Sequence, residues 1–173
     1  MDTGEALTRV TIWAALVAYT ASEVGRGRSW SLVAMNEDRV RVVLTLGCVL
    51  YIAHVAAAFQ YDYRWSHAVA YAETARQTEA LVGLGSGVGI FVNYLFTLVW
   101  IGETVWWWLA PVTYRSRAPW IAVAVRSVFF FMIINGAVVF VAGPMRWVGT
   151  TLVIMLAITW WTVSRRPLPV LNQ

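Results

Sequence analysis

The chain has 173 residues, 60% of them apolar and only 13% charged, with a formal charge of +4. A water-soluble domain carries roughly 45–50% apolar and about 25% charged residues, so this composition points to a membrane-embedded protein. All 13 basic residues are Arg, the one cysteine is Cys48 and the two histidines are His54 and His67. That excludes a Schiff-base or P-loop lysine, an internal disulfide, a Cys-x-x-Cys site and a three-histidine zinc site.

A spanning helix needs about 20 mostly apolar residues. The first stretch to approach this is Thr8 to Val24, diluted by Arg9, Thr11, Thr20, Ser22 and Glu23. Its leader carries Asp2 and Glu5 against Arg9 and has no small-x-small cleavage site, so a retained helix is expected rather than a cleaved signal. The second span is Val42 to Phe59, with Cys48 and His54 inside it. Between the two lies Gly25–Arg41, a polar, arginine-rich loop.

Gln60–Ala80 is a longer polar segment, QYDYRWSHAVAYAETARQTEA. From Ser66 it lacks Pro and Gly and is rich in good helix formers, and Ser66 can cap the start. Trp65, Val69 and Ala72 form a narrow apolar stripe, and Glu73 shares a face with Arg76 and Gln77. An amphipathic helix on the outer membrane surface is expected. Its candidate functional residues are Asp62, His67, Glu73 and Arg76. His67 and Glu73 fall on different helix faces, so they are a poor metal pair, and no metal is predicted. The next residues, Gly83–Gly89, alternate glycine with other residues and follow no strand, so they are not a dinucleotide fingerprint. They predict a bend or re-entrant start, or close helix approach if the region is helical.

The third span is Val88 to Leu109, the fourth Trp120 to Ala142 and the fifth Trp147 to Val163. Pro111–Pro119 reads as a short turn, Gly143–Arg146 as a tight hairpin, and Ser164–Gln173 as a flexible tail. The Trp106–Trp108 run falls at a helix end and reads as an interfacial anchor. The expected fold is an all-α integral membrane protein, a single bundle of about five transmembrane helices plus one surface helix. Eight arginines flank the side holding Gly25–Arg41, Pro111–Pro119 and the tail, against four on the other. The positive-inside rule then places the N-terminus outside and the C-terminus in the cytoplasm.

Ionisable residues inside spans are functional-site hypotheses by default. At about 1.5 Å rise per residue, Glu103 and Arg126 sit level on consecutive helices, and an ion pair between them is expected. The same arithmetic levels His54, Asn93 and Asn135 in a second, outer polar layer, expected as a cluster between the second, third and fourth spans. Both layers also read as interhelical glue.

The stretch WSHAVAYAETARQT, followed by VNYLFTLVW and WWW, resembles uncharacterised bacterial multi-pass membrane proteins over His54 to Trp108, the central third of the chain. The resemblance departs at Gln60 and Arg64, where that group carries further histidines. It implies a bacterial origin, hence an inner-membrane location, and brings no function with it.

Four functions compete. An accessory or assembly subunit of a membrane complex needs no catalytic motif, and its partners would be the lipid bilayer and a membrane protein or a second copy; nucleic acid is not expected. A small oligomeric transporter or channel would use the two polar layers. A haem subunit would need both histidines as axial ligands, but one lies in a span and the other in a loop, so no cofactor is predicted. An intramembrane enzyme is disfavoured, because no Ser/His dyad, aspartyl pair or Asp-rich phosphotransferase motif is present.

Overall fold

A computed structural model describes residues 2–27 and 36–164. The tail beyond Ser164 and the segment containing Arg28 lie outside the described residues. All regular elements among the described residues are helical: α1 (Thr3–Gly27), α2 (Glu37–Tyr61), α3 (His67–Val82), α4 (Gly89–Leu109), α5 (Pro111–Arg115), α6 (Pro119–Ile134), a π-helical turn (Asn135–Val139) and α7 (Met145–Ser164). Among the described residues, three helical stretches, Glu37–Tyr61, Gly89–Leu109 and Pro119–Val139, are long and apolar enough to cross a membrane.

Local chemistry sets the helix ends. Asp2 Oδ1 accepts from the Glu5 amide at 2.7 Å, Asn36 Oδ1 from Arg39 at 2.9 Å and Ser66 Oγ from Val69 at 3.4 Å. Each takes up an amide that the first helical turn leaves unpaired. Pro111 and Pro119 open α5 and α6, where a missing N–H costs nothing. Gly83, at φ 73°, closes α3 in the left-handed conformation that glycine adopts freely. The Gly83–Gly89 segment is accordingly a bend, not a helix: α4 begins only at Gly89.

The hydroxyls that dilute α1 are satisfied within it. Thr8, Thr11 and Thr20 each donate to the carbonyl four residues back, and Ser22 to Tyr19. This back-bonding lets a Thr-rich segment lose its water without stranding polar groups. Ala15 and Ala18 face Gly47 of α2, where an added Cβ would lie 3.3 Å from that of Ala18. Small residues at the contact bring the two backbones close, and α1 with α2 is the most extensively packed pair.

The structure corrects several details. α1 and α2 run further into the Gly25–Arg41 region than a loop would allow. The Pro111–Pro119 turn contains the short helix α5. The stretch expected as the fourth span is α6 followed by the π turn, after which the Phe140 amide bonds the Asn135 carbonyl at 2.9 Å. On α3 the face turned to the protein is Ala70, Thr74 and Thr78, which the sequence alone does not single out, while the expected stripe of Trp65, Val69 and Ala72 stays on the outside. Trp107 is buried, so it is a core residue and not an anchor, whereas Trp108 is 47% exposed.

Gly149 of α7 lies so close to the π turn that a Cβ there would overlap the Ala137 carbonyl oxygen. Gly149→Ala should therefore destabilise the protein by about 1–3 kcal/mol through overpacking. Thermal unfolding in detergent checks this, with Gly102→Ala as the control, since no atom lies within 4 Å of a Cβ added at Gly102.

Candidate functional site

Polar chemistry inside the bundle gathers in two places. At the α5 end, Glu23 and Glu103 are buried among Arg26, Arg117 and Arg126. Glu23 Oε1 lies 3.2 Å from Arg26 Nη1, one turn along α1. Its Oε2 accepts from the Trp160 indole at 2.8 Å and lies 3.3 Å from Arg126 Nε. Glu103 takes Arg117 Nη1 at 2.9 Å on Oε1 and 2.8 Å on Oε2, with the Tyr114 hydroxyl donating to Oε2 at 2.8 Å.

The expected Glu103–Arg126 pair is replaced by two others. Both residues do border one small space, so they sit at one level. Their partners differ because the chain folds back after α4. That fold buries Tyr114 and brings Arg117 onto Glu103, leaving side chains only 9% and 8% exposed. Arg126 turns instead to Glu23 of α1. Residue spacing already hinted at part of this, because Glu23 and Arg26 are three apart on one helix.

Aromatic rings complete this region. The Trp107 and Tyr114 rings stack at 4.9 Å, with Arg26 4.1 Å above the former and Arg117 4.1 Å from the latter. A guanidinium over an indole or phenol face gains from the ring quadrupole, more so away from water. The Trp107 indole reaches Glu37 at 3.2 Å, and Arg115 reaches the other oxygen of Glu37 at 2.9 Å. The space among the buried charges is about 10 Å³, room for about one water at most. Every oxygen of Glu23 and Glu103 is engaged. As built, the region ties α1, α4, α6 and α7 together and cannot admit a solute.

At the α3 end lies a cavity of about 580 Å³ between α1, α2, α3, α4 and the π turn. His54, Asn93 and Asn135 all line it. They are not bonded to one another; His54 and Asn135 have backbone partners instead. His54 Nδ1 lies 2.9 Å from the Thr8 carbonyl, and Asn135 Nδ2 donates to the Phe131 carbonyl at 2.8 Å. A carbonyl can only accept, so Nδ1 carries the proton, and in the neutral imidazole Nε2 is then an acceptor.

An aromatic layer separates the two regions. Tyr19 and Phe129 border the charged space, Tyr51 and Phe96 border the cavity, and Trp100 packs against all four at 5.1–5.6 Å. The surface candidates do not converge. Glu73 is held by Arg76 Nε and Gln77 Nε2, each at 2.9 Å, and the Arg76 hydrogen bonds keep its carboxyl below the usual carboxylate range. His67 Nδ1 pairs with the Tyr94 hydroxyl at 2.9 Å. No His/Cys/Asp/Glu group of three or more that could hold a metal occurs among the described residues, Asp62 included. Compared with protein-family models, curated proteins and solved structures, the chain matches none of them.

Proposed function

We propose that the chain is an accessory or assembly subunit of a bacterial inner-membrane complex, crossing the bilayer five times with its N-terminus outside and its C-terminus in the cytoplasm. The observation that carries the reading is that both carboxylate oxygens of buried Glu23 and of buried Glu103 are taken up by partners within the fold. Glu23, Glu103, Arg117 and Arg126 pair with one another around a space of about 10 Å³. Charges spent on holding helices together are not available to a solute. The exposed stripe of Trp65, Val69 and Ala72 on α3 supports it too, as a surface for the headgroup layer or a partner. For the span count, α1 and α7 contribute 25 and 20 helical residues, and the internal bonds of α1 suit it to a bilayer.

The second reading is a small oligomeric transporter, favoured by the cavity that His54, Asn93 and Asn135 share. The aromatic layer around Trp100 weighs against a continuous path through one protomer. The test is quantitative proteomics of membranes with and without the chain. A subunit predicts that a defined set of membrane proteins falls several-fold together. An unchanged membrane proteome overturns the proposal.

A further inference from the structure

We infer that the cavity at the α3 end is a binding site for an uncharged membrane amphiphile with a hydroxyl head and an apolar body. A volume of about 580 Å³ falls within the roughly 300–1,000 Å³ range of small-molecule sites. No Asp, Glu or Arg lines it. A phosphate, carboxylate or ammonium head would find no counter-charge there and would lose its hydration uncompensated.

The lining is graded along its length. Gln77 and Thr78 of α3 and Ser86 of the bend border it at one end, and Leu16, Trp100 and Ile133 at the other. From Gly89 to Trp100 the helix rise gives a depth of about 17 Å, enough for the apolar body of a lipid-like molecule. His54 fixes the head chemistry. Its Nδ1 proton is committed to the Thr8 carbonyl, so Nε2 accepts and the ligand must donate. Asn93 adds a side chain that can both donate and accept.

The π turn forms part of the wall. Gly136 lies on the cavity, and an added Cβ there would meet nothing within 4 Å. π turns recur at functional sites for this kind of local reshaping. The inference stands independently of the subunit reading, since it uses none of the charged residues. A quinol, an isoprenoid alcohol and a monoacylglycerol share the required chemistry.

The test uses the full chain in phosphatidylcholine nanodiscs with a diazirine-bearing long-chain alcohol as photoprobe, followed by peptide mapping. Labelling is expected on α2, α4 and the π turn. It should be competed by oleyl alcohol but not by oleate at neutral pH. Gly136→Phe should project a ring into the space and cut labelling several-fold. His54→Phe, which leaves the volume nearly intact, should weaken oleyl alcohol competition by about tenfold, the worth of one hydrogen bond. Mass spectrometry of lipids extracted from the purified protein then distinguishes the three sources. Labelling confined to the exposed stripe of Phe91, Leu95 and Leu98 on α4 would overturn the inference. So would equal competition by oleate, or labelling that both variants leave unchanged.

Discussion

Glu103→Gln is expected to destabilise the protein by about 3–5 kcal/mol, the cost of leaving a buried charge without its partner. The stranded group is Arg117, whose side chain is 9% exposed and whose Nη1 contacts both Glu103 oxygens. Arg117→Met should cost a similar amount by stranding Glu103. The double variant Glu103→Leu/Arg117→Met should recover much of the loss, because replacing both members of a buried pair with apolar groups is often near neutral. Thermal unfolding of wild type, Glu103→Leu, Arg117→Met and the double variant gives the cycle. The same cycle run on Glu103 and Arg126 should show weaker coupling, since Arg126 rests on Glu23. Coupling strongest between Glu103 and Arg126 would contradict the pairing described.

Trp100→Ala is expected to cost about 3–5 kcal/mol, as for other buried aromatic truncations. Trp100 is 1% exposed and touches Tyr19, Tyr51, Phe96 and Phe129. Its loss would extend the neighbouring cavity toward the charged region. Trp100→Phe should cost much less, because the Trp100 Nε1–H has no hydrogen-bond acceptor among the described residues. An aromatic ring preserves the packing, and removing an unpaired donor carries no hydrogen-bond penalty. Chemical unfolding in a fixed detergent, read by circular dichroism, compares the two variants. Equal losses for Ala and Phe would show that the indole itself, not the ring packing, is what matters.

Helix positions were legible because apolar runs, prolines and Ser66 are local signals. α4 covers Gly89–Leu109 where the sequence suggests Val88 to Leu109, and α3 starts where Ser66 caps it. Rise per residue gave an expected depth for each buried polar residue, and that grouped them by neighbourhood. Glu103 and Arg126 do border one space, and His54, Asn93 and Asn135 do border another. Depth carries no information about which way a side chain turns around its helix axis, so partners were not legible. Arg117 reaches Glu103 only because the chain folds back through α5, a tertiary event that composition cannot announce. Glu23 looked like a polar residue at a fading helix end, whereas α1 continues past it to Gly27 and buries it. The inward face of α3, Ala70, Thr74 and Thr78, was not foreseen for a related reason. Its Thr74 and Thr78 hydroxyls bond their own helix, so a polar face can pack inward.

The most direct measurement is capture of the tagged chain from its own membranes in native lipid, followed by native mass spectrometry. The subunit reading predicts a different membrane protein present at fixed stoichiometry. It also predicts that a folded Glu103→Leu/Arg117→Met double variant retains that partner, because those charges serve the fold. A clean homo-oligomer from wild-type protein, or a folded double variant that loses its partner, would contradict it.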